Sequence, residues 1–139
     1  RLSRVGFDGT IGYLGGGFKS WEKAGKDVDT IMSLTAEEVK DRLNREKNNI
    51  FDVRKESEYQ SEHVVDAHST PLGSLNEHLA EFPADETFYV HCAGGYRSVI
   101  AASILKSRGF HNLIDLAGGF DAIKNADIEV TEYVCPTTL

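Results

Sequence analysis

The sequence predicts an α/β domain: a parallel sheet of five strands with helices on both faces. Three observations carry this. Strand-like and helix-like runs alternate from about residue 28 onward, the order that builds parallel sheets. The apolar runs are short and bounded by turn residues, as befits strands covered on both sides. The helical run Ser98–Leu105 follows a buried-strand signal, Thr87-Phe88-Tyr89-Val90, across a glycine-bearing loop.

Val28-Asp29-Thr30-Ile31-Met32 alternates apolar and polar residues and reads as a short edge strand. Thr35-Ala36-Glu37-Glu38 is a capping box with Leu34 and Val39 at the staple positions, so a helix should run to about Arg45 with Val39 and Leu43 facing inward. Ile50-Phe51-Asp52-Val53 is short and apolar after an Asn-Asn turn, a central strand, and Val64 to Ala67 suggests another before Pro71. Ser74-Leu75-Asn76-Glu77 repeats the capping-box pattern and predicts a short helix with Leu75, Leu79 and Phe82 on one face, ended by Pro83. The helix after the cysteine loop should stop at Gly109, with Lys106 and Arg108 in its last turn. Leu113-Ile114-Asp115-Leu116 supplies the last strand, and Gly118-Gly119 opens a final helix.

Residues 1–27 stand apart from this pattern. Gly6-Phe7, Ile11 and Leu14-Gly15-Gly16-Gly17-Phe18 are echoed by Gly109-Phe110, Leu113-Ile114 and Leu116-Ala117-Gly118-Gly119-Phe120, with one residue of slippage. The segment reads as the tail of another copy of the domain that occupies 28–139. So short a piece cannot bury a core alone, so Phe7, Phe18 and Trp21 are expected to need a surface to cover.

Composition narrows the function. Hydrophobic residues at 40% and charged residues at 27% are ordinary for a globular chain, and no apolar run approaches the ~20 residues of a membrane span. A net charge of −7 argues against nucleic acid or an anionic membrane as a partner. The two cysteines, Cys92 and Cys135, form no C-x-x-C pair and have no histidine at zinc-ligand spacing, so no metal and no cofactor is assigned. A reducing cytoplasm is the expected setting.

The chemistry concentrates in Cys92-Ala93-Gly94-Gly95-Tyr96-Arg97. Cys92 is expected at the carboxyl end of a strand, facing the amino end of a helix, where unpaired N–H groups and the helix dipole favour a negative charge. Arg97 adds a full positive charge. Together they favour a thiolate at Cys92, and glycines at 94 and 95 leave room for backbone amides to converge on it. The bland alternative is a buried apolar cysteine. His91 either tunes the thiolate or points to the other sheet face; Asp52 is better read as the partner of a loop N–H or an arginine than as a catalytic group, and Arg54 as a rim residue or a strand-end brace. His63 and His68 are read as structural, and Cys135 as a terminal thiol rather than a resolving one.

These residues resemble the rhodanese-like sulfurtransferases over roughly residues 28–135. The resemblance rests on Asp52-Val53-Arg54, on Glu58-Tyr59 and His63-Val64 ahead of Ala67, on the Cys92–Arg97 loop, and on Leu116-Ala117-Gly118-Gly119-Phe120. Glu62 stands where the family usually has glycine, and His68-Ser69-Thr70-Pro71 where it often has an Ile-Asn-Ile-Pro-like run. The resemblance implies that Cys92 carries a sulfane sulfur as a persulfide, taken from thiosulfate or another persulfide and passed to a thiol or other nucleophile. It assigns Cys92 and Arg97 as catalytic and Ala93, Gly94, Gly95, Tyr96 and Arg54 as substrate-binding. Phosphatases on this architecture use C-x5-R, one residue longer; the C-x4-R here suits a single sulfur atom. A non-catalytic module that senses persulfides or binds a partner is the alternative. Arg4 to Trp21 also resembles the end of a first rhodanese-like domain in bacterial proteins that join a metallo-β-lactamase-fold hydrolase to tandem rhodanese domains, which implies such upstream domains as partners.

Overall fold

The computed structural model describes residue 9 and residues 11–43 and 49–135. The chain divides into two compact units, Arg1–Thr30 and Ile31–Leu139.

In the first unit a short helix, α1 (Gly17–Lys23), buries none of its own residues. Trp21 Nε1 donates to the Asp27 carbonyl at 2.7 Å, which ties the end of the segment back on itself. Phe18 and Trp21 are 62% and 43% exposed. Phe7 lies outside the described residues.

The second unit runs β1 (Ser33–Leu34), α2 (Ala36–Leu43), β2 (Ile50–Asp52), α3 (Glu56–Ser61), β3 (His68–Ser69), two turns of 3-10 helix (Leu72–Glu77 and Leu79–Glu81), β4 (Phe88–His91), α4 (Tyr96–Ser107), β5 (Leu113–Leu116) and α5 (Gly119–Asn125). Its five strands form one sheet in the order β1-β5-β4-β2-β3, and every pairing is parallel.

Alternation along the strands sorts the core into two layers. Ile50, Tyr89 and Ile114 face one side with Ala36 and Val39 of α2 and Phe120 and Ile123 of α5. Phe51, Phe88, Val90 and Leu113 face the other with Leu75 and with Ala101, Ala102 and Leu105 of α4. Cys92, one residue past β4, falls on the α4 side, while His91 at the end of the strand falls on the α5 side with Phe120.

The capping box at Thr35 forms as predicted, with Thr35 N–H donating to Glu38 Oε2 at 2.9 Å and Glu38 N–H to Thr35 Oγ1 at 3.3 Å. The far end of that helix, near Arg45, lies outside the described residues. Three expectations are corrected. The edge strand is Ser33–Leu34, not 28–32, because Asp115 and Ala117 N–H groups bond the Met32 and Leu34 carbonyls and set the register there. The strand expected at Val64–Ala67 is His68–Ser69, paired to Phe51 and Asp52, while Val64 makes an isolated antiparallel bridge to Val130. The helix expected from Ser74 is broken into 3-10 turns because Ser74 is non-helical at φ −121°. Its hydroxyl turns back to the Pro71 carbonyl instead of capping a new helix. Leu75 and Phe82 still enter the core as expected.

Candidate active site

A parallel sheet brings all strand carboxyl ends to one edge, and the predicted residues gather there. Asp52 and His91 are register partners on β2 and β4, so their side chains lie side by side on the same face. Arg54, two residues beyond Asp52, turns to that face as well. Its Nε lies 3.0 and 2.9 Å from the two Asp52 carboxylate oxygens, its Nη2 donates to Oδ2 and to the Glu62 carbonyl, and its backbone N–H caps Oδ1 at 2.9 Å. Both side chains are buried. Asp52 is thus the partner of an arginine and a loop N–H, and Arg54 is a brace between strand and loop. A buried pair of this kind survives desolvation only when further hydrogen bonds support it, and the Arg54 backbone N–H and the Glu62 carbonyl supply two.

His91 is fully buried, and burial pushes its pKa below the ordinary histidine value, against the pull of the Asp52 carboxylate. A neutral ring offers one N–H. Nδ1 sits 3.2 Å from the Cys92 carbonyl, which can only accept, so the proton belongs on Nδ1. Nε2 is then bare, 3.8 Å from Asp52 Oδ2 and without a hydrogen bond.

Cys92 is buried, at 1% exposure. The Gly95 N–H donates to its sulfur at 3.1 Å. Gly95 is also the N-cap of α4, at φ +101°, a conformation that glycine adopts without penalty. The sulfur therefore meets the amino end of a 12-residue helix, where a negative charge is favoured. Ser98, in the first turn and fully buried, was not singled out from the sequence. Its Oγ lies 3.7 Å from Sγ while donating to the Gly95 carbonyl at 3.2 Å, and the hydroxyl is free to rotate toward an anionic sulfur. A serine three residues past the cap glycine, on the loop side of α4, was the signal available.

Arg97, expected to add a positive charge near Cys92, is held in a bidentate pair. Its Nη1 and Nη2 donate to Glu58 Oε2 and Oε1 at 2.7 and 2.9 Å. This pairing holds the Glu58 carboxyl below its ordinary pKa, chiefly through the Arg97 hydrogen bonds and against partial burial. It raises that of Arg97 in turn. Glu58 is itself fixed by the Lys55 N–H at the start of α3. Of the other predicted binding residues, Ala93 offers its carbonyl to the Asp121 N–H at 3.2 Å, Gly94 is exposed, and Tyr96 stands 80% exposed at the loop mouth.

A cavity of about 260 Å³ opens between Arg54, Glu58, Glu62, Phe120, Asp121 and Lys124. Both of its cations are paired: Lys124 bonds Glu62 at 2.8 Å and Arg54 is held by Asp52. A larger one, about 320 Å³ between α2 and the Asp127–Glu129 segment, contains none of the predicted residues. Among the described residues no cluster of histidine, cysteine, aspartate and glutamate is arranged to hold a metal ion, and no helix is long and apolar enough to cross a membrane.

Comparison with known proteins agrees with this geometry. The chain is 28% identical over 102 residues to the putative sulfur carrier protein YrkF of Bacillus subtilis, a match covering 73% of this chain and 55% of that protein. It is 31% identical over 75 residues to the thiosulfate sulfurtransferase GlpE of Coxiella burnetii, covering 54% of this chain and 70% of that one. It therefore spans little more than half the length of the sulfur carrier. Among solved structures, a rhodanese-like domain protein from Staphylococcus aureus superposes with a TM-score of 0.66 at 28% identity, covering 73% of this chain and all of that one. A rhodanese-like domain from Anabaena gives 0.68 at 27% identity, covering 76% and 81%. The model of the rhodanese-like domain family matches residues 35–126, the stretch that holds strands β2 to β5, the Cys92 loop and the turn into α5, and the chain belongs to that family.

Proposed function

We propose that the domain is a sulfurtransferase that moves a sulfane sulfur from thiosulfate or a persulfide to a thiol or other nucleophile through a Cys92 persulfide. The observation that carries this reading is the Cys92 sulfur itself, met by the Gly95 N–H at 3.1 Å at the amino end of α4. The Cys92 thiolate attacks the outer sulfur of the donor, a new S–S bond forms, and the donor's own S–S bond breaks, its electron pair leaving with sulfite or a thiolate. An acceptor thiolate then attacks the outer sulfur of the Cys92 persulfide, and the Cys92 thiolate leaves. No oxidant or reductant is consumed. Sulfur carriers and sulfurtransferases among the relatives support the reading at the level of the family.

Intact-mass measurement after incubation with thiosulfate or a small persulfide tests it: an adduct of one sulfur atom on Cys92, discharged by a thiol, is expected. Absence of the adduct with every donor would leave the second reading, a persulfide-sensing or partner-binding module, which the commitment of Arg97 to Glu58 favours.

The proposal extends to the surrounding polypeptide. Residues 1–27 are read as the end of a preceding rhodanese-like domain, supported by the shared turn geometry of Gly16-Gly17 and Gly118-Gly119. The upstream metallo-β-lactamase-fold hydrolase that the amino-terminal resemblance implies would be a neighbour in the same chain, and a reducing cytoplasm the compartment.

A further inference from the structure

The turn that opens α5 has no part in the sulfur chemistry as described, yet it is built against the nucleophile loop. The Phe120 N–H donates to the Cys92 carbonyl at 2.7 Å and the Asp121 N–H to the Ala93 carbonyl at 3.2 Å. Amides of a first helical turn have no partner in their own helix, and these two are used on the loop. The approach leaves no room for a side chain. A Cβ on Gly119 would stand 2.4 Å from the Cys92 oxygen and 2.5 Å from the Ala93 oxygen. The obstructing atoms are backbone, so only displacement of the loop could relieve the clash. Phe120 is anchored in turn: the Arg54 guanidinium lies 3.9 Å over its ring, and the His91 ring stacks on it at 6.0 Å.

We infer that Gly119 and Phe120 are positioning residues for the Cys92 nucleophile. A peptide plane places its carbonyl and the following N–H on opposite sides. Holding the Cys92 and Ala93 carbonyls toward α5 therefore turns the Ala93 and Gly94 amides away from it, where they are available to an incoming sulfur. The inference rests on Cys92 being the sulfur-carrying group, but its test reads the thiol directly.

The amino-terminal segment supplies an internal control. Gly16 and Gly17 have φ of +81° and +61° and Gly118 and Gly119 have +78° and +59°, and both turns open helices of 7 residues. A Cβ on Gly17, however, would meet nothing within 4 Å. Gly17→Ala thus imposes the same backbone strain without touching a loop.

The experiment compares Cys92 alkylation by iodoacetamide across pH, and the rate of persulfide formation, in the wild type, Gly119→Ala and Gly17→Ala. Gly119→Ala is expected to slow both reactions roughly tenfold to a hundredfold, the scale of a misplaced reacting group, and to move the alkylation profile to higher pH. Gly17→Ala should match the wild type. A glycine that was merely structural would lower the melting temperature and leave the alkylation profile unmoved, and that result in a folded Gly119→Ala overturns the inference. Should Gly119→Ala fail to fold, Asp121→Pro decides. It deletes the amide that bonds Ala93, in a first turn where proline is tolerated, with Asp121→Ala as the control for the lost carboxylate, and an alkylation profile unchanged between the two overturns the inference equally. If the wild type alkylates normally but takes no sulfur from any donor, the functional reading fails while the positioning inference is still decided by the alkylation profiles.

Discussion

Glu58 and Arg97 meet through two parallel bonds, Nη1 to Oε2 at 2.7 Å and Nη2 to Oε1 at 2.9 Å, which join α3 to the first turn of α4. The arginine nearest Cys92 in sequence is thus already paired with a carboxylate. Its planar fork fixes the first turn of the helix that Cys92 faces.

Arg97→Lys keeps the charge but loses the fork, so it is expected to retain part of the transfer rate. Arg97→Ala should lose more and weaken the preference for charged over uncharged sulfur donors. A double-mutant cycle with Glu58→Gln should return a coupling on the order of 0.5–1 kcal/mol for this half-exposed pair. Equal rates for Arg97→Ala and wild type with both classes of donor would assign the pair no share in the reaction.

Cys92→Ser is expected to abolish both persulfide formation and turnover. Cys135, exposed near the carboxyl terminus, should be replaceable by serine with most activity kept. Loss of turnover in a folded Cys135→Ser protein would contradict a scheme with one essential thiol.

Asp52→Ala strands the Arg54 guanidinium, itself only 5% exposed. Breaking a buried pair on one side costs about 3–5 kcal/mol, a large part of the ~5–15 kcal/mol that holds a domain together. Urea unfolding should show the midpoint fall accordingly. A shift no larger than that of a surface alanine would mean the pair contributes nothing net.

The depressed pKa of His91 carries a pH signature. The native ring stays neutral where the unfolded one, with a pKa near 6.5, takes up a proton. Stability from this group is therefore complete above about pH 6.5 and declines as pH falls below it, by up to ~1.4 kcal/mol per unit. His91→Gln should flatten the slope of unfolding free energy between about pH 6.5 and 5. An unaltered slope would place its origin elsewhere.

Much of this architecture is legible in the sequence because its signals are local. The Thr35 box, the strand before Cys92 and the glycine pair before α5 each announce themselves within a few residues. The misplaced strands, Ser33–Leu34 and His68–Ser69, are two residues long, too short to carry a period, and are defined by neighbours far along the chain. The helix Glu56–Ser61 has only six residues, of which one is buried, so it lacks an apolar stripe. The Glu58–Arg97 fork was illegible for a related reason: its partners are 39 residues apart, and only the sheet brings their helices together. The Cys92 loop was readable; what steadies it was not.

The sheet order has a consequence for how the chain is made. Strand β1 pairs with β5, and Ser33 bonds Asp115 across 82 residues. Closing so long a loop costs entropy before any contact repays it. On a ribosome the Cys92 loop emerges before the Gly118–Phe120 turn that steadies it, so the nascent thiol stands uncradled until nearly all of the domain has been synthesised. The backbone frame around Cys92 is therefore completed last, when the final helix docks, and a chain stalled short of it would carry the cysteine without the Phe120 and Asp121 amides that hold its loop.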